Sequence, residues 1–161
     1  MAETASDATN SSDREIVERR LLDAPRELVF QMWTDPQQVV QWWGPIGFTN
    51  TIEEMDVRAG GVWRFVMHGP DGTDYPNVLV YEEVSPPELL TFEHGGMPES
   101  DDPTFHATVA VDDMMGMTVL TMKSVFESAA ARDELVAKYD AVEGGNQTLG
   151  RLEAFLSGAM V

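Results

Sequence analysis

The sequence predicts an α+β fold: a curved antiparallel sheet of about six to seven strands wrapped on a long C-terminal helix, with two short helices after the first strand. Two observations carry this. Apolar runs of strand length follow one another from Thr51 to Phe126, separated by short turns rich in glycine and proline, as an antiparallel meander requires. On either side of that meander the apolar residues recur instead at helical spacing.

The first strand is read at Ile16 to Leu22 and is broken by Asp23-Ala24-Pro25. Pro25 suits the first turn of a helix, and Leu28, Val29, Met32 and Trp33 then follow at helical intervals. Thr34-Asp35-Pro36 stops that helix and caps a second, short one carrying Val39, Val40, Trp42 and Trp43, which ends at Gly44-Pro45. Strands are expected at Thr51 to Val57, Val62 to His68, Val78 to Val84, Leu89 to His94, Phe105 to Val111 and Met117 to Phe126. The clearest is Val62 to His68, where Trp63, Phe65 and Met67 alternate onto one face. Turns are expected at Arg58 to Gly61, Gly69 to Gly72 and Asp112 to Gly116. Ser128 is the expected N-cap of the last helix, whose stripe runs through Leu135, Tyr139, Val142, Leu149, Leu152 and Phe155 or Leu156. Gly144-Gly145 interrupts that stripe, and a glycine pair costs a helix about 1 to 2 kcal/mol against alanine. It therefore marks a kink, a break or a close approach to another backbone.

The chain has 161 residues, of which 43% are hydrophobic, as expected of one globular domain. Residues 13–158 are read as that domain and residues 1–12, polar and without an apolar run, as a disordered lead. There is no cysteine, which excludes disulfides, thiol nucleophiles and thiolate metal sites. The formal net charge is -18, from 28 acidic and 10 basic residues. Such a field opposes phosphate backbones and anionic lipid heads, so no nucleic acid and no membrane insertion are expected. The same charge fits a solvated surface or a saline cytoplasm. No apolar stretch is long enough to span a bilayer, and the N-terminus has neither the basic start nor the apolar run of a signal peptide, so a cytoplasmic location is expected.

The residues that could carry chemistry are few. His68, His94 and His106 lack metal-ligand spacing, so no metal site is expected. His94 falls on the face of Leu90 and Phe92, whereas His68 falls opposite Trp63, Phe65 and Met67. The acidic pairs Glu53-Glu54 and Glu82-Glu83 lie in strands, where neighbours point to opposite faces; one member of each can face inward, and a buried Glu83 would be a proton donor or acceptor, but glutamate is seldom fully buried and solvent exposure is favoured. Asp101-Asp102 and Asp112-Asp113 are placed in solvated loops. The glycine turns do not precede a helix in the pattern of a phosphate loop, and there is no nucleophile elbow. No catalytic residue and no cofactor are assigned.

What remains is aromatic and methionine side chains. One long helix cannot fill a strongly curved sheet from edge to edge, so a cavity between them is expected, and such cavities take ligands. The residues expected around it are Trp33, Trp42, Trp43, Trp63, Phe65, Met67, Leu79, Tyr81, Phe92, His94, Phe105, Met122, Leu149 and Leu152. Ten methionines suit an adaptable apolar lining, and Tyr81 or His94 would orient a polar end of the ligand.

Several runs also carry a family resemblance: WWGPIGF from Trp42 to Phe48, RAGGVWRFVMHGPDGTDYPN from Arg58 to Asn77, EEVSPPELLTF from Glu82 to Phe92 and TVLTMKSVF from Thr118 to Phe126. Together they resemble the activator-of-heat-shock-protein-90-ATPase homologue family of the START-related SRPBCC superfamily, over nearly the whole chain from Arg14 to Leu156. The resemblance implies the helix-grip fold. The family's namesake co-chaperones match this chain only over their C-terminal domain, while its small bacterial and archaeal members are read as small-molecule binders and other superfamily members include polyketide cyclases and lipid carriers. Three functions are thus expected in order: a non-enzymatic binder of an apolar or aromatic small molecule, a chaperone-associated or other protein-interaction module, and a cyclase or hydrolase using Glu83, Tyr81 or His94.

Overall fold

A computed structural model describes residues 13–95 and 103–159. The polar lead at 1–12 and residues 96–102, with the Asp101-Asp102 pair, lie outside the described residues. The chain forms β1 (Glu15–Leu22), α1 (Arg26–Thr34), α2 (Pro36–Trp42), β2 (Thr49–Met55), β3 (Val62–His68), β4 (Asp74–Ser85), β5 (Leu89–His94), β6 (Phe105–Met114), β7 (Met117–Phe126), α3 (Ala129–Tyr139) and α4 (Ala141–Ala159). All seven strands join one antiparallel sheet in the order β1-β7-β6-β5-β4-β3-β2. The α+β helix-grip architecture is the one the sequence predicts.

The helices start where local chemistry allows. The Asp35 side chain accepts the Gln37 backbone N–H at 2.9 Å, with Pro36 in the first turn of α2, and Ser128 Oγ accepts the Ala131 N–H at 3.0 Å to start α3. These bonds satisfy amide groups that a helix start leaves open. α1 turns Val29, Phe30, Met32 and Trp33 inward; α4 turns Leu149, Leu152 and Leu156 inward. They meet Trp42, Trp63, Phe65, Leu79, Tyr81, Leu90, Val109 and Leu120 in one core. The four tryptophans form a chain of ring contacts: Trp33 to Trp42 at 4.9 Å, Trp42 to Trp43 at 5.7 Å and Trp43 to Trp63 at 5.3 Å.

Four details differ from the sequence reading. The terminal helix is two helices, broken at Asp140 (φ 53°), because aspartate tolerates the left-handed conformation better than most residues; Gly144 and Gly145 stay helical. β4 begins at Asp74, ahead of Val78, and includes Pro76. Pro76 pairs only with Val66 of β3, since the ladder to β5 begins at Leu79, so its missing N–H deprives no partner. β6 runs on to Met114, leaving Met115 and Gly116 as a two-residue hairpin turn. Finally, both glutamate pairs sit on bulges, where the register shifts between Ile52 and Glu54 and between Tyr81 and Glu83. A bulge takes an extra residue out of the alternation, and Glu53, Glu54, Glu82 and Glu83 are all exposed.

Candidate functional site

Cross-strand pairing sets the inner face of the sheet in rows. His94 lies between Leu79 and Phe105, with Phe126 beyond. Phe92 lies between Tyr81 and Ala107, with Ser124 and then Ile16 beyond. In the next row Leu90 is followed by Val109, Met122 and Glu18. The leucines of α4 fill the space over one part of this face. Over the rest, the side chains opposite are small or missing, at Ala141, Gly144 and Gly145, and a cavity of about 570 Å³ opens.

Its floor is Ile16, Glu18, Met67, Tyr75, Asn77, Phe92, His94, Phe105, Ala107, Met122, Ser124 and Phe126; its rim is the Trp43 to Phe48 loop and the α3–α4 junction from Leu135 to Thr148. Rings line it closely: Phe105 stands 4.8 Å from Phe126 and 4.7 Å from His94. Tyr75 bridges Phe48 at 5.9 Å and Tyr139 at 6.3 Å, joining the two parts of the rim.

The rim loop is held by α4. Arg151 Nη1 donates to the carbonyls of Trp43, Gly44 and Pro45 at 3.1, 2.9 and 2.9 Å. Gln147 Oε1 accepts the Ile46 N–H at 3.1 Å, and Asn50 Nδ2 donates to Trp43 O at 2.8 Å. Gly44 has φ +97°, a left-handed backbone that favours glycine, and a Cβ there would fall 2.9 Å from Met67 Cε, so the methionine tip packs against the bare backbone.

Two polar groups face the apolar interior. Asn77 Nδ2 donates to Tyr75 O at 2.8 Å, which fixes the amide so that Asn77 Oδ1 is the acceptor 2.7 Å from His94 Nε2. His94 therefore carries its proton on Nε2 and offers the Nδ1 lone pair. Burial lowers its pKa to about 4, so the ring is neutral at physiological pH. Glu18 has its pKa raised to about 7, chiefly by desolvation, with Arg20 opposing and Glu143 adding to the rise. Its carboxylate lies over Gly145, where a Cβ would collide with Glu18 Oε1. The glycine pair thus marks a close approach, to a side chain rather than to a backbone. Arg20 is engaged elsewhere, with Glu153 at 3.0 Å and Asn146 Oδ1 at 2.7 Å.

Of the residues the sequence points to, Trp43, Met67, Phe92, His94, Phe105 and Met122 line the cavity. Trp33, Trp42, Trp63, Phe65, Leu79, Tyr81, Leu149 and Leu152 are packed into the core beside it. Strand parity selects the inward face but not which rows the α4 leucines cover. Tyr81 is buried with no hydrogen-bond partner for its hydroxyl among the described residues. Glu83 is exposed and accepts from Ser85 Oγ at 2.7 Å. On the outer face His68 contacts Asp74 and Thr51, each at 2.7 Å, and His106 contacts Glu82. Among the described residues no group of three or more His, Cys, Asp or Glu side chains could hold a metal, and no helix is long and apolar enough to cross a membrane. Sequence reasoning missed Glu18, Ser124, Phe126 and Arg151. The available signal for Glu18 was its phase with Ile16 and Leu22, obscured because Val17 and Leu21 make the other phase of β1 equally apolar.

A seven-stranded sheet gripping a C-terminal helix beside an apolar cavity defines a helix-grip protein. The chain belongs to the family described as "Activator of Hsp90 ATPase homolog 1-like protein", whose model matches residues 23–157. Among solved structures it is similar to a protein from Arthrobacter aurescens, with 28% identity, a TM-score of 0.84, and coverage of 91% of this chain and 88% of that one. A Mycobacterium smegmatis protein is 25% identical, with a TM-score of 0.82 over 90% of this chain and 91% of its own. The AHSA1 protein from Silicibacter pomeroyi shares the fold at a TM-score of 0.73 and 24% identity, covering 89% of this chain and 97% of that one. Comparison with curated proteins found no match.

Proposed function

We propose that this protein binds an apolar or aromatic small molecule, without covalent chemistry, in the cavity between the sheet and the α3–α4 junction. The observation that carries the reading is the cavity itself: about 570 Å³, walled by Trp43, Met67, Phe92, Phe105, Met122 and Phe126. That volume lies within the range of about 300 to 1,000 Å³ that small-molecule sites occupy, and such sites are mostly apolar with a few convergent polar groups. Glu18 and His94 are those groups here. The ligand enters between the Trp43 to Phe48 loop and the α3–α4 junction, the two parts of the rim.

Ala107 is the residue with which to test this, because it lies on the cavity floor and is buried. Replacing it with phenylalanine fills part of the space. Wild-type protein should bind a neutral naphthalene at one site, and native mass spectrometry of freshly purified protein should detect an apolar passenger. Ala107→Phe should lose both while keeping its circular dichroism spectrum. Equal binding by a folded Ala107→Phe variant would reject the cavity as the site.

A further inference from the structure

We propose that the ligand of this cavity is an amine: an aromatic or aliphatic skeleton among Phe92, Phe105 and Phe126, with its ammonium group against the Glu18 carboxylate. This deepens the binding function proposed above and rests on it.

The first ground is the placement of Glu18. It comes from the inner face of β1, directly opposite Met122, and its oxygens reach the cavity beneath Gly145. A larger residue at position 145 would displace the carboxylate, so glycine and glutamate together form a shaped acidic pocket. No described residue donates a hydrogen bond to Glu18. A carboxylate removed from water is costly unless a cation or donors replace the lost solvent, and a bound ammonium would do so.

The second ground is hydrogen-bond polarity. Asn77 is used on both sides, with Oδ1 taken by His94 and Nδ2 by Tyr75 O. Beside the aromatic wall this leaves two acceptors, Glu18 and the unprotonated His94 Nδ1, while the hydroxyls of Tyr75 and Ser124 on the floor can donate or accept. A ligand that brings donors satisfies both acceptors; one that brings a carboxylate satisfies neither.

The third ground is charge. The charged and titratable groups around Glu18 are Arg20 on its own strand, Glu143 and Asp140 at the α3–α4 junction, Lys138 on the rim, and His94 across the sheet. Arg20 is paired with Glu153. Three carboxylates, Glu18, Asp140 and Glu143, thus stand against Lys138 and against Arg151, whose guanidinium is held by the rim carbonyls of Trp43, Gly44 and Pro45, in a protein of net charge -18. Such a field concentrates cations at the entrance. Aromatic faces on the wall add cation–π attraction for the same charge.

The test uses three probes of one shape, 1-naphthylmethylamine, 1-naphthylmethanol and 1-naphthoate, titrated calorimetrically into wild-type protein and Glu18→Gln. At about pH 8 the amine should bind wild-type protein about tenfold or more tightly than the alcohol, the usual scale of a charged hydrogen bond. The preference should shrink at about pH 5.5, where Glu18 is protonated while His94 is still neutral. Glu18→Gln should abolish the preference, bringing the amine's affinity down to that of the alcohol. If the alcohol or the naphthoate binds wild-type protein as well as the amine, or if Glu18→Gln keeps the preference, the amine proposal is overturned and the cavity-binding function stands. If none of the three binds, both fall.

Discussion

Replacing Glu18 with glutamine should make the protein more stable, and only above mildly acidic pH. The folded state moves the ionisation midpoint of Glu18 from 4.5 to about 7. Taken whole, that displacement is worth about 3 kcal/mol. Glu18 is only half-buried, and solvent screening reduces the effect to about 1 to 2 kcal/mol. Its sign follows from which state holds the proton more tightly. Between pH 4.5 and about 7 the folded protein keeps a proton that the unfolded chain has released, so stability falls as pH rises through that window. Below it the carboxyl is neutral in both states and contributes nothing. Glutamine keeps the shape of the neutral acid and cannot ionise. Urea unfolding should therefore give equal stabilities for variant and wild type near pH 4, and an advantage of about 1 to 2 kcal/mol for the variant near pH 8, or about 2 to 8 °C in Tm. A difference between the two proteins that is the same at both pH values, or a wild type more stable than the variant near pH 8, would refute the desolvation argument.

Three other changes test separate parts of the fold. Gly145→Ala should stabilise by clearly less than the usual helical gain of about 1 kcal/mol, because the Glu18 carboxylate must swing aside; in a Glu18→Ala background the full gain should appear, and a cycle of chemical denaturations reads the difference. Met115 and Gly116 both have positive φ, 54° and 88°, the signature of a type I′ turn that favours Asn-Gly. Met115 is 96% exposed, so Met115→Asn loses no packing and should raise stability by about 0.5 to 1 kcal/mol in urea titrations. Arg151→Ala removes the donor shared by the carbonyls of Trp43, Gly44 and Pro45, of which Trp43 O keeps Asn50 and Pro45 O keeps the Phe48 N–H, and should cost about 1 to 2 kcal/mol, with hydrogen exchange accelerating first at Phe48.

How legible each feature was depended on whether its cause is local. The strands could be read because their turns are written in glycine, proline and aspartate, and Ser128 and Asp35 could be read as caps because a cap needs only its own helix. The bulges at Glu53 and Glu82 carry no such mark: strict alternation allows one glutamate of each pair to face inward, and the extra residue at each bulge lets all four be exposed, the solvated side of the sequence reading. The cavity depends on distant pieces. Phe65 and Met67 share one face of β3, yet Phe65 packs under the core while Met67 reaches the cavity, a distinction set by where α4 crosses the sheet. Gly145 was visible as an anomaly. Its reason, Glu18, lies at the far end of the sequence.

That distance has a consequence during synthesis. β1 has no neighbour in the sheet other than β7, with Glu15 paired to Val125 and Leu22 to Thr118, and the rim loop waits for Arg151. A ribosome-bound chain cannot close this sheet until β7 has emerged, nor fasten the mouth of the cavity before α4 follows. Pairings of such long range are slow to form, and until they do the exposed edge of β6 is an invitation to wrong partners. A charge of -18 keeps the unfinished chains apart by mutual repulsion, so the acidity that biases the finished cavity toward cations also protects the protein while it is still being made.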